Sequence, residues 1–214
     1  APPIRFAGSE LRHMRHVCAF FNSDDERYRV LLPFIKDGFE CGDKEIHVVS
    51  PAQHEDHVHR LAAADIDVAG AQESGRLELL SSVDAYLRDG RFDQDRMLEV
   101  FKRMADGASG PGRVRRFVCQ MEWAAAEGRA YSDDLIEFEA RVNDVWNSND
   151  DAVICVYDLA KFSGETVVDI MRTHPMIIIG GLLQENPFYV PPPEFLAELR
   201  ARRARSATGP AGHL

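Results

Sequence analysis

The sequence predicts an α/β fold: a three-layer sandwich with a mostly parallel central sheet and helices on both faces. Two observations carry this. Runs such as Val17-Cys18-Ala19-Phe20-Phe21, Phe117-Val118-Cys119 and Val153-Ile154-Cys155-Val156 are apolar throughout instead of alternating, as expected of strands covered on both sides. Between them lie stretches whose apolar residues recur at helical spacing, so β and α alternate along the chain.

Arg15–Phe21 forms the first predicted strand. Asn22 or Ser23 then offers a helix cap, and Tyr28, Leu31, Leu32, Ile35 and Phe39 recur at helical spacing over Glu26–Phe39. Gly38 and Gly42 mark the exit, and Pro33 predicts a kink or an early break. Lys44–Ser50 reads as a second strand and Gln53–Ala64 as a helix, whose His54, His57 and His59 are expected on a solvated face. A short strand over Leu77–Leu80 and an amphipathic helix over Asp93–Asp106 follow, the latter using Met97, Leu98, Phe101 and Met104. Gly107–Arg113 is a loop. Val114–Gln120, Ala152–Asp158 and Met176–Ile179 are further strands, with helices over Asp133–Trp146 and Gly164–Arg172 between them. The proline-rich Asn186–Pro193 is expected to run extended, beside the strand-end crevice, into a helix near Glu194. The expected organisation is an N-terminal extension over residues 1–14, one main domain over 15–199 and a flexible Arg-rich tail over 200–214.

The chain of 214 residues carries 35 acidic and 25 basic side chains, a formal charge of −10. That balance argues against direct nucleic-acid binding, which needs a basic footprint. Its longest apolar run, Met176–Leu183, is far short of the ~20 residues that span a bilayer. Ala1–Glu10 has no long apolar stretch of signal-peptide type, so a cytoplasmic location is expected. The four cysteines (Cys18, Cys41, Cys119, Cys155) form no CxxC pair, and three lie in apolar strands, where free thiols pack as small hydrophobes. No metal site and no cofactor are expected on spacing alone. GxSxG, HExxH and GxGxxG after a strand are all missing, which speaks against an enzyme.

The first βα turn, Phe21-Asn22-Ser23-Asp24-Asp25-Glu26, has neither the glycines nor the lysine of a phosphate loop, and its three carboxylates would repel a nucleotide. The passage Leu31–Lys44 nevertheless resembles the helix–Gly–strand segment of RecA/KaiC-type ATPases, which implies a RecA-like scaffold without the Walker A motif. A longer likeness runs from about His16 to Leu196. Its phrases are His16-Val17-Cys18-Ala19-Phe20-Phe21, Leu32-Pro33-Phe34, Ser74-Gly75-Arg76-Leu77, Gly90-Arg91-Phe92-Asp93, Met121-Glu122-Trp123-Ala124, Tyr157-Asp158, Thr173-His174-Pro175 and Asn186-Pro187-Phe188-Tyr189-Val190-Pro191. Through them the chain resembles the MEDS family, the methanogen/methylotroph and dichloromethane-regulator sensory domains.

The resemblance implies a non-enzymatic sensor of a small-molecule ligand, of small hydrocarbon or one-carbon type. It also implies signalling to a regulatory partner: a histidine kinase, a sigma-factor regulator or a transcription-factor module. A homodimer is compatible with it. At 214 residues the chain is expected to be a stand-alone sensor or an excised domain. The ligand-binding candidates are His16, Cys18, Glu122, Trp123, Tyr157, Asp158, His174 and Tyr189. Glu122-Trp123 and Tyr157-Asp158 end core strands, where ligands of parallel sheets gather. His16 opens the first strand and His174 precedes the last, at a different depth. Two rivals stand beside the sensor: a diverged nucleotide-binding protein, and a thiol or metal redox sensor using Cys18, Cys119 and Cys155 with His16 on the same strand face.

Overall fold

The computed structural model describes residues 2–106, 114–126 and 129–208, so the expected loop at Gly107–Arg113 and the last six residues of the tail lie outside it. The chain opens with a short antiparallel hairpin, β1 (Ile4–Phe6) and β2 (Ser9–Leu11). Where an extension was expected, Ile4, Phe6 and Leu11 are buried, and the Phe6 ring lies 4.4 Å from that of Phe34. Strands of three residues are too short for alternation to show in sequence.

Seven strands form the central sheet: β3 (His16–Phe21), β4 (Lys44–Val49), β5 (Leu77–Ser81), β6 (Arg115–Gln120), β7 (Ala152–Asp158), β8 (Met176–Ile179) and β9 (Leu182–Glu185). Their order is β5-β4-β6-β7-β3-β8-β9, parallel except for β9. The sequence reading missed β9. It returns along β8 through Gly180-Gly181, both at positive φ (60° and 77°), as a two-residue hairpin turn requires.

The steps from β3 to β4 and from β4 to β5 run through α1 (Asp24–Cys41), α2 (His54–Ala63) and α3 (Val68–Glu73). These pack in one apolar core with Val17, Ala19 and Phe21. The return steps run through α4 (Ser82–Tyr86), α5 (Gln94–Asp106), α6 (Trp123–Ala126), α7 (Arg129–Trp146) and α8 (Gly164–Thr173), and these share the opposite core with Cys18, Phe20 and Cys155. Reversing direction and face together keeps every crossover of one hand, as parallel connections demand. This is the expected three-layer sandwich. β4 and β6 are neighbours that leave the sheet toward opposite faces, and outside the carboxyl ends of such a pair is where parallel sheets characteristically place a ligand crevice.

Ser23 is the N-cap of α1: its Oγ accepts from the Glu26 N–H at 3.2 Å, while Glu26 Oε2 accepts from the Asn22 N–H at 2.9 Å. Gly42, at φ 80°, ends the helix in left-handed geometry. The break expected at Pro33 does not occur. Pro33 and Arg29, whose carbonyl loses its helical donor, both face solvent, where water replaces the missing bond. The tail is also corrected. Helix α9 (Pro192–Thr208) continues past Arg200, held by Arg202–Asp169 at 2.9 Å and Arg203–Glu137 at 2.5 Å.

Candidate functional site

One predicted residue lies at this carboxyl end, outside β4 and β6. Glu122 follows β6 by two residues and is buried in an ion pair with Arg27, which α1 sends in from the other side. Asp24 adds a contact to Arg27 at 3.3 Å. Among the described residues, Arg27 Nε and Glu122 Oε2 are buried with no hydrogen-bond partner. Gln120 Oε1 accepts weakly from the Ser50 N–H at 3.4 Å, tying the ends of β4 and β6 together. Trp123 turns toward the opposite core, stacked on Tyr86 (4.7 Å, 16°) and tilted against Phe92 (4.8 Å). Its Nε1–H is buried with no acceptor among the described residues. Asp158 is not brought to this crevice: its carboxylate accepts from the Ala160 N–H at 2.9 Å and faces Lys161 at 3.6 Å, closing a turn.

His16, Cys18, Tyr157 and His174 gather elsewhere, on the sheet face under α7. Glu139 stands at their centre, a residue the sequence reading did not single out. Tyr157 donates to Glu139 Oε1 at 2.7 Å. Glu139 Oε2 lies 3.3 Å from His16 Nε2, 3.4 Å from His174 Nε2 and 3.8 Å from Cys155 Sγ. The His16 and His174 rings are 4.1 Å apart, because β8 pairs with β3. Asn143, one turn beyond Glu139 on α7, donates its amide to the carbonyls of Glu139, Ala140 and Thr173. Its Oδ1 is therefore the atom facing His16 Nδ1 at 3.0 Å, and His16 must donate there. His174 Nδ1 likewise donates to the Ile170 carbonyl at 2.9 Å. Burial pushes Glu139 up, but His174 and His16 outweigh it and hold the carboxyl below its usual range. Burial, reinforced by His174, drives His16 toward the neutral form, and burial beside Glu139 raises Cys155, Cys18 and Tyr157.

A second buried chain crosses the other core. Tyr28 O–H, His57, His47 and Glu45 are linked at 2.8, 3.0 and 3.1 Å. Here the solvated histidine face is corrected: His54 and His59 are exposed, but His57 is buried beneath Tyr28. Glu45 and His47 read in sequence as one side of a strand. A sheet covered on both faces must bury that side too.

The segment after β9 sits at the amino end of β8, at the opposite edge of the sheet from the crevice it was expected to cover. Asn186 donates to the carbonyls of His174 (2.8 Å) and Met171 (2.6 Å), and the Val190 N–H donates to Arg172 O at 2.9 Å. The antiparallel turn of β9 carries the chain back to that end. Tyr189 is half-buried and Phe188 is 58% exposed. The thiols Cys18, Cys155 and Cys119 are register partners across three adjacent strands, as equivalent strand positions suggested.

No helix among the described residues is long and apolar enough to cross a membrane. The MEDS family pattern, described as the MEthanogen/methylotroph, DcmR Sensory domain, matches residues 15–175. The chain is also similar to the transcriptional repressor DcmR of Methylorubrum extorquens, at 24% identity over 177 residues. That match covers 81% of this chain and 63% of the relative. With most of its length under the family pattern, this chain belongs to the MEDS family of sensory domains.

Proposed function

We propose that this chain senses a small molecule at the crevice outside β4 and β6 and passes occupancy to a transcription-regulating output. One observation carries the location. Among the described residues, a buried guanidinium N–H of Arg27 and a buried carboxylate oxygen of Glu122 have no hydrogen-bond partner, each costing about 1–3 kcal/mol until something pairs with it. A small ligand with adjacent acceptor and donor satisfies both. Membership of a sensory family and similarity to a transcriptional repressor support the regulatory role.

Within this reading the ligand is a one-carbon or small hydrocarbon-derived compound, and the chain is not an enzyme. The output is a histidine kinase, sigma-factor regulator or transcription-factor module in the cytoplasm, engaged directly or through a homodimer. The nucleotide-binding rival is disfavoured by Asp24, Asp25 and Glu26, which crowd the first βα turn with negative charge. Thermal-shift and native mass spectrometry screening with formate, methanol, methylamine, dichloromethane and Mg·ATP tests the reading. At least one carbon compound should raise the melting temperature, and Glu122→Gln should weaken that shift relative to its own ligand-free melting temperature. A stabilising response to Mg·ATP alone would replace the sensor reading with its rival.

A further inference from the structure

We propose that His16, Glu139, Cys155 and His174 form a buried site for one divalent transition-metal ion of zinc type. The site lies on the sheet face under α7, away from the β4/β6 crevice, and stands independently of whether that crevice binds a ligand.

Each residue contributes one donor atom, and the four atoms lie within 4.8 Å of one another. Four separations are 3.3 Å (His16 Nε2 to Glu139 Oε2), 3.4 Å (His174 Nε2 to Glu139 Oε2), 3.5 Å (Cys155 Sγ to His16 Nε2) and 3.8 Å (Cys155 Sγ to Glu139 Oε2). A tetrahedron with zinc–nitrogen and zinc–oxygen bonds of about 2.0–2.1 Å and a zinc–sulfur bond of about 2.3 Å has edges of roughly 3.3–3.6 Å. These four edges are close to that size without rearrangement.

The protons point the same way. Asn143 Oδ1 fixes a proton on His16 Nδ1, and the Ile170 carbonyl fixes one on His174 Nδ1. Each ring's Nε2 faces Glu139 Oε2, at 3.3 Å for His16 and 3.4 Å for His174. Two lone pairs and a carboxylate oxygen in contact repel unless a cation or a proton lies among them. Outer hydrogen bonds of this kind orient the ligands of protein metal sites, and Tyr157 O–H on Glu139 Oε1 supplies a third. Charge selects the ion. One carboxylate and one thiolate cancel a divalent cation, so the filled site is neutral in a core that tolerates no net charge. Two imidazoles and a sulfur suit zinc, and exclude magnesium and calcium, which take oxygen ligands. The set differs from the three-thiol arrangement that the strand cysteines suggested, because Glu139 and His174 replace Cys18 and Cys119.

The test uses the full chain, as purified without chelator and after refolding with one equivalent of Co²⁺ or Zn²⁺, since the buried site is filled most readily during folding. Native mass spectrometry should find one metal per chain. The cobalt form should show the intense visible bands of a tetrahedral centre and a near-ultraviolet thiolate-to-metal band. Cys155→Ser, nearly isosteric, should lose the thiolate band and at least ~100-fold in affinity, whereas Cys41→Ser and Cys119→Ser should lose neither. Asn143→Ala, which releases the His16 ring, should weaken binding about 10–100-fold. A wild-type chain that takes up no metal by either route overturns the proposal. So does bound cobalt without the thiolate band, or a Cys155→Ser chain that binds as tightly as wild type. Thermal shifts from the organic panel in Cys155→Ser report on the crevice alone, so the two readings fail separately.

Discussion

Arg27 and Glu122 place a full ion pair inside the molecule, with side-chain exposures of 2% and 6%. Desolvation at such a site offsets much of the Coulomb attraction, so the pair adds little net stability, yet losing one partner strands the other. Glu122→Gln should therefore cost about 3 kcal/mol, at the low end of the range for buried pairs because Asp24 still faces the guanidinium. Arg27→Met should cost a similar amount. The double variant Arg27→Met/Glu122→Leu should recover most of it in urea unfolding. Singles within about 1 kcal/mol of wild type would show that water reaches the pair. Half of this pair was legible: Glu122 ends an apolar strand, where functional side chains gather. Arg27 was not, although it stands four residues before Leu31 on the buried stripe of α1. Glu139 and Asn143 hid in the same way, continuing the i, i+4 row that Leu135 begins on α7. His16 and His174 were recognised individually. That they touch depends on β8 pairing with β3, and pairing order is a property of the whole sheet.

At the scale of elements, β3, β7 and β8 were legible because buried parallel strands are apolar on both sides, β4 and β6 from the shorter apolar runs that end them, and the long helices because their stripes repeat. The short β1–β2 hairpin and β9 escaped, since three or four residues define no period. Gly38 shows how an element depends on its neighbours. Read as a helix exit, it lies inside α1, where Glu45 and Arg116 approach the backbone. A Cβ there would overlap Glu45 Oε1 and come within 2.9 Å of Arg116 Cδ. Neither side chain is free to yield: Glu45 Oε2 is held by His47, and Arg116 by Asp43, Asp37 and the Phe34 carbonyl. Alanine gains about 1 kcal/mol in helix propensity, but overpacking costs about 1–3 kcal/mol and the strained network adds to it. Gly38→Ala should therefore lose about 1–2 kcal/mol net. Gly164→Ala, with no atom of the described residues within 4 Å of the new Cβ, should be neutral or stabilising. The two denaturation midpoints, compared side by side, check the argument. Equal effects would mean that Glu45 moves aside freely.

Taken whole, the molecule buries a titratable network on each face of one sheet, and the face under α1 and α2 makes its stability depend on pH. His57 is pushed down to about 4 from an ordinary 6.5, by burial first and then by His54 and Arg27 against the pull of Asp56. Burial, with His57 beside it, also holds His47 well below the usual range. Between pH 6.5 and 4 the unfolded chain thus binds more protons at these histidines than the folded one, and stability rises with pH across that window. Glu45 acts in the opposite sense. Burial raises its carboxyl despite Arg116, so the folded form holds its proton longer and Glu45 gains stability as pH falls below its raised value. The bare wild-type profile mixes the two. Subtracting the profile of His57→Gln cancels Glu45, which is common to both chains, and leaves His57 together with its hold on His47. A depression of 2.5 pH units corresponds to about 3 kcal/mol, so the stability advantage of wild type over His57→Gln should shrink by roughly that amount from pH 7 to pH 4. Below pH 4 it should stay level. Urea unfolding of both proteins at pH 7, 6, 5 and 4 measures the difference. A constant advantage across the series would mean that His57 already carries its proton in the folded chain and that the Tyr28–His57–His47–Glu45 chain is linked by a different proton arrangement.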